Sequence, residues 1–345
     1  MDDNATDGSP TDGSGTLDEA LERLHRTGPE FEGWLSNHGP MAVESLVRGG
    51  QAPRVHRWLD HYVRRLDVMP APSAPIGADD WRSALGDPRR LADWIAYFER
   101  AVAERPWRDV LAEWWPRLLP GIAAGATHPV IRVGHAVRTL RTGEPTGPRL
   151  AELAHGLGYW AARHQPLGPL AALASAPDAA GALAAVPRVA DQSGGIQGRL
   201  DQVTGLPAWA AEPVDPDTAR DRLGELVAAA VGRYATHGHG NAVMLVHTAT
   251  APNAVRRVLP ALPRALWPAS LRAAWAASAA VTAAYAPAAA VRYVSAGNVD
   301  AQELLARAAA HGDDHAIKFA DTAVDVGDAV ALTAATRALT LIPPA

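Results

Sequence analysis

Apolar residues recur at spacings of three and four along nearly the whole chain, the period of helices with one buried face. Leu17, Leu21 and Leu24 follow this rule behind Thr16, whose hydroxyl, with Glu19 three positions on, predicts a capping box and a helix opening at Thr16. Pro40 predicts the first turn of a second helix, because its missing N–H costs nothing there, and Met41, Glu44, Leu46 and Val47 continue it. The same reading predicts helices over 54–65, 89–104, 107–119, 130–141, 149–164, 218–235, 242–259, 270–286, 301–310 and 313–326. Only 292–295 hints at the alternation of a strand. The expected fold is therefore all-α, a single large helical domain over 16–345. An acidic, polar tail at 1–15, of disordered composition, precedes it. Residues 175–217, rich in Pro, Gly, Ala and Gln without a clear period, predict a lid or mobile insertion within the domain.

Composition narrows the partners. With 345 residues, 48% of them hydrophobic, the chain can bury a sizeable core. Its net charge is -5 with both signs interspersed, so no electrostatic footprint for nucleic acid or an anionic membrane is present. The uncharged run 273–291 is mostly alanine and predicts a close-packed internal helix, not a membrane span. The first residues lack the basic-then-apolar order of a secretory signal, and the expected location is the cytoplasm. There is no cysteine, so a metal would have to rest on nitrogen and oxygen.

The phosphate-cradling loop, the strand-borne G-x-G-x-x-G, the G-x-S-x-G elbow, S-x-x-K and H-E-x-x-H are all absent, which argues against ATPases, Rossmann flavoenzymes, serine hydrolases and zincins. Thirteen histidines remain. His38 precedes the rigid Gly39-Pro40 turn, as a helix-entry residue or as a ligand. His128 and His135 lie seven apart on one helical face, about 10.5 Å along the axis, a generous separation for one ion. Pro129 makes His128 a helix-start residue, free to turn back towards His135. His247 follows an apolar run, where a lone histidine is more often a core residue than a ligand. His237 and His239 sit in a glycine-rich turn, and His311, between two helices, is expected to face solvent. His25, His56, His61, His155 and His164 are assigned no role.

His315 and Lys318 form the sharpest pair. They are three apart on one helix, hence neighbours, with Ala316, Ile317, Phe319 and Ala320 around them. Lys318 is the only lysine, the other 31 basic residues being arginine. Desolvation among these apolar neighbours should lower its pKa and expose a neutral amine, able to act as a base, form a Schiff base or add carbon dioxide as a carbamate.

Four separated blocks, NHGPMAVESL, PRLLPGIAAGATHPVIRVGHAVRTLRTGE, GLGYWAARHQ and DDHAIKFADTA, resemble the questin oxidase-like family, in order and over nearly the whole ordered chain. The resemblance implies a mononuclear non-haem iron held by four histidines and a carboxylated lysine, and oxidation of aromatic polyketides such as anthraquinones. It implies ligands among His38, His128, His135, His247 and His315, with Lys318 as the modified lysine. A surplus histidine would serve as a hydrogen-bond partner or proton donor, and His38 and His135 are the residues expected to act in catalysis. The chain departs from the family pattern around VHTATAPNAV, where Asn253 stands.

The expectation is an Fe(II)- and O2-dependent oxidoreductase acting on a small aromatic substrate, with NADPH as a possible cosubstrate and a carbon dioxide-derived carbamate on Lys318. Trp114, Trp115, Trp160 and Phe319 are candidates to stack on that substrate. Two alternatives are a helical phosphohydrolase ligating metal through Asp314 and His315, and a non-enzymatic helical binding module.

Overall fold

A computed structural model describes residues 13–77, 79–210 and 214–345. The fold is all-α, as the periodicity predicts. Among the described residues the strands form two short pairings, Glu30–Phe31 with Leu35–Ser36 and Ala171–Leu173 with Gly205–Pro207, beside one isolated bridge between Thr27 and Val68. The predicted strand hint at 292–295 carries no regular structure.

Helix positions follow the sequence pattern closely, with instructive shifts at the ends. The first described helix is Ser14–Leu24, so Thr16 lies inside it and makes no side-chain cap; Gly13 occupies the cap position. The tail reading for 13–15 thus gives way to helix from Ser14, because Arg149 reaches Ser14 and Asp18 and ties this end down. Residues 1–12, the rest of the predicted tail, lie outside the described residues. The predicted helix over 242–259 is broken: a 3-10 turn, Met244–Val246, gives way to a helix over His247–Val258. A helix at Ala329–Leu341, rich in alanine and threonine, was not foreseen. Within 175–217 there are short helices, Ala179–Ala184 and Ile196–Leu200, and the strand Gly205–Pro207, so part of the expected insertion is regular structure.

The helix Trp267–Tyr285, covering most of the uncharged run, is buried from Ala277 onward, as a packed internal helix should be. Among the described residues no helix is long and apolar enough to cross a membrane.

Four helices position the site: Gly39–Arg48, His128–Thr142, His247–Val258 and Asp314–Val326. Each packs on the next and the last on the first, closing a ring. Gly134 permits the closest of these approaches, since a Cβ there would stand 2.5 Å from Ala254 Cβ on the neighbouring helix. A small second core of Leu21, Leu24, Leu46, Leu59 and Tyr62 packs against Ile317 and seats the N-terminal helices beside this ring.

The four aromatic residues proposed to stack on substrate are core instead. Trp114, Trp115, Trp160 and Phe319 are fully buried. Trp115 donates to Ser270 Oγ, Trp160 to the Gly121 carbonyl, and Phe319 packs on Tyr234. Helical spacing alone cannot separate a core aromatic from a substrate platform.

Candidate metal centre

Each of the four ring helices begins with a histidine. His38 is the N-cap of its helix, His128 and His247 are first residues, and His315 is a second residue. Their rings gather in one place: His38 stacks on His128 at 4.4 Å between centroids, His38 meets His315 edge-on at 4.5 Å, and His128 meets His247 at 4.5 Å. Because four helix starts meet here, the four helices run in one direction and turn their partly positive N-terminal ends to the same point.

Hydrogen bonds fix which nitrogen each ring offers. His128 Nδ1 donates to the Gly125 carbonyl at 2.5 Å and His247 Nδ1 to the Met244 carbonyl at 3.0 Å. A neutral imidazole has one donor and one acceptor, so both Nε2 atoms must carry lone pairs. Those two Nε2 atoms face one another at 2.9 Å. Two lone pairs at that distance repel unless something positive lies against both. Protonation is a poor answer, since burial first of all, and neighbouring His and Lys charges after it, hold both imidazoles well below their ordinary pKa. A cation lying against both nitrogens would satisfy the arrangement.

The other two rings are held by a carboxylate. Asp314 Oδ1 accepts from His38 Nδ1 and, at 3.0 Å, from His315 Nδ1, while Arg65 donates to Asp314 Oδ2 at 2.8 Å. Tyr62 accepts the His38 backbone N–H at 2.6 Å, and the Arg65 guanidinium lies over the Tyr62 ring. This is the outer arrangement usual around metal-binding histidines, where a carboxylate selects the tautomer and leaves Nε2 free. Burial drives His38 down to about 3 against the pull of Asp314, whereas for His315 burial, the largest single influence, is outweighed by the Asp314 charge and the Asp313 and Asp314 hydrogen bonds together, and the pKa is raised.

Lys318 stands one turn beyond His315, 1% exposed, and its Nζ has no hydrogen-bond partner. Burial lowers its pKa to about 8, partly countered by Asp314 and Asp313. An unpaired buried amine costs several kcal/mol if charged, so this position favours a neutral amine or a modified one. The expectation drawn from its apolar neighbours thus holds for burial and for the direction of the shift.

The turn that delivers His128 is strained. Gly125, Ala126 and Thr127 have φ of 53°, 55° and 68°, and left-handed backbone costs of order 1–3 kcal/mol at each non-glycine position. Its product is the Gly125 carbonyl aimed at His128 Nδ1. The Thr127 hydroxyl is buried there without a partner.

His135 is not brought to this cluster. Its Nδ1 donates to Glu44 Oε2 at 2.7 Å and its Nε2 accepts from Arg257 Nη1 at 3.3 Å, so neither nitrogen is left over. Around it Glu44, Arg138, Arg257, Asp321 and Asp325 form a continuous, largely buried ion network spanning all four ring helices, joined from the surface by Arg48. Glu44, His135 and Asp321 approach closely enough to share a metal, but Arg138 and Arg257 already occupy their oxygens. Asn253, the departure from the family pattern, belongs to this layer and donates to Asp325 at 2.9 Å.

Of the histidines assigned no role, His25 and His155 meet ring to ring at 4.4 Å and pair with Glu152 and Glu99 respectively. His311, expected in solvent, is half-buried against the Ile342 carbonyl. The residues that sequence reading missed are Arg65, Tyr62 and the Gly125–Thr127 turn, which lie far from the quoted histidines along the chain or carry no side-chain signal.

No curated protein matches this chain. A family model does, over a span that holds His38, His128 and His135 and stops short of His247, His315 and Lys318. Residues 35–167 of the chain match the family described as Questin oxidase-like, whose name is that of an oxidase.

Proposed function

We propose that this chain is a mononuclear non-haem iron oxygenase, in which His38, His128, His247 and His315 hold Fe(II) through Nε2 and Lys318, as its carbamate, adds an anionic oxygen. The observation that carries this reading is the pair of lone-pair nitrogens of His128 and His247 at 2.9 Å, beside the unpartnered Lys318 amine. Imidazole and carboxylate-type oxygen suit Fe(II). Iron, when bound, would supply the activation of dioxygen that no side chain here provides.

The chain's own residues would do the rest. Asp314, pinned by Arg65, keeps His38 and His315 in the tautomer that offers Nε2, and both of its oxygens are thereby used, which disfavours the phosphohydrolase in which Asp314 itself ligates. The Gly125 and Met244 carbonyls do the same for His128 and His247. Burial at the helix starts keeps bulk water away. The substrate, a small aromatic of polyketide or quinone type, would occupy the cavity of about 330 Å³ between the Ala123–Ala126 backbone, Trp34 and the Gly195–Asp201 segment. That cavity reaches the turn carrying His128, and its far wall comes from the region read in sequence as a lid. One atom of O2 would enter the product and the other would leave as water, taking two electrons from NADPH.

Anaerobic and aerobic turnover with an anthraquinone, followed by mass spectrometry after 18O2 labelling, tests the reaction. Label in the product with a strict Fe(II) requirement is expected. Unlabelled product, or phosphoester hydrolysis without oxygen uptake, would refute it.

A further inference from the structure

A second cavity, of about 770 Å³, is lined in part by Asp314 and has a different character. One wall is the helix Val55–Tyr62 with the 3-10 turns on either side of it, Ala52–Arg54 and Val63–Arg65. Arg54, Arg57, His61 and Arg65 follow one another at spacings of three and four, so they fall on one face, interleaved with Trp58 and Tyr62. The opposite face of the same run buries Val55 and Leu59 in the small core, which fixes the basic face outward.

Of the acidic side chains of this cavity, Asp314 is engaged through both oxygens and Asp313 through Oδ1. Asp313 caps the Asp314–Val326 helix through the amides of His315 and Ala316, and Asp314 is shared by Arg65, His38 and His315. Arg54 and Arg57 make no ion pair among the described residues. The Trp58 ring is held flat against Tyr62, 4.6 Å between centroids, by its Nε1 bond of 2.7 Å to the Gly312 carbonyl. The cavity thus presents two free guanidinium forks, a nearby imidazole and a fixed aromatic edge.

We infer that this cleft binds a phosphate-bearing small molecule, with Arg54 and Arg57 taking the phosphate oxygens. Guanidinium forks match phosphate geometry through paired N–H donors, and a wall carrying two exposed arginines without ion pairs favours an anion. Arg65 belongs to the same stripe, so a ligand there sits against the residue that steadies Asp314 and, through it, His38 and His315. The inference does not depend on the identity of the metal.

Titration calorimetry on the full chain with inorganic pyrophosphate, and separately with ADP, tests it. Binding of either in the micromolar to low-millimolar range is expected, weakening as salt rises and falling at least about tenfold in the Arg54→Glu/Arg57→Glu variant. Both residues are exposed, so that variant should keep its helical circular dichroism and its metal content. Stronger binding of ADP than of pyrophosphate would place the base against Trp58, and equal binding would place the phosphates alone at the arginines. Absence of binding by both probes, or binding untouched by the double charge reversal, would overturn the inference.

Discussion

The same four helices carry two polar layers about 10 Å apart along their axes, and the layers differ in one respect that matters. In the layer built on Glu44, His135, Arg138, Arg257, Asp321 and Asp325, His135 has both nitrogens engaged and each carboxylate faces guanidinium. At the helix starts the histidines are tied on one side only, two lone pairs face each other and the lysine amine has no partner. One layer is complete in itself and serves to hold the ring together; the other leaves unused donors and acceptors, on which the proposed metal site rests. Burial is equal in both, so burial alone does not mark a site. The count of unused donors and acceptors does.

The largest effect expected from breaking this contrast is on stability. Asp321→Ala would strip a carboxylate shared by Arg48, Arg138 and Arg257 and leave two buried guanidinium groups short of charge, at a cost of about 3–5 kcal/mol. Denaturant unfolding should show that loss, while the folded fraction keeps its iron. Lys318→Arg and Lys318→Ala should act in the opposite sense, with nearly unchanged helical circular dichroism and loss of bound iron in metal analysis. An arginine variant with full iron would remove the carbamate from the account, because guanidinium stays protonated.

A smaller effect is expected at the Arg65–Asp314 contact, where Arg65 is 44% exposed. Arg65→Ala should weaken iron binding by about 10–100-fold, as loss of an orienting partner usually does, measured by competition with a chelator. The smallest effect concerns acid. Burial would raise the pKa of Glu44, but Arg138 and His135 outweigh it and hold the carboxyl at about 2. A carboxylate depressed on folding contributes its full stability above its ordinary pKa and loses it as pH falls from about 4.5 towards 2. Thermal unfolding across that window should fall less steeply in Glu44→Gln than in the parent chain.

Much of this was legible in the chain. The period of three and four gave the helices, Pro40 and Pro129 marked two of the starts where site histidines stand, and the solitary Lys318 among apolar neighbours pointed to its own burial. What spacing could not do was separate His128 from His135. They share a face, and only the partners brought by other helices, Glu44 and Arg257 to one and His247 to the other, distinguish them. Asp314 was visible as a candidate ligand but its role as an orienting group required Arg65, 249 positions away. The helix Ala329–Leu341 was missed because alanine and threonine blur the contrast between its faces.

The helix-start layer, and not the layer below it, is the proposed position of the metal. Iron content and X-ray absorption at the iron edge, measured on the parent chain, His128→Ala and His135→Ala, test it most directly. One iron per chain in a shell of nitrogen and oxygen is expected in the parent and in His135→Ala, and none in His128→Ala. Retention of stoichiometric iron by His128→Ala, or its loss on removing the His135 ring alone, would contradict the assignment.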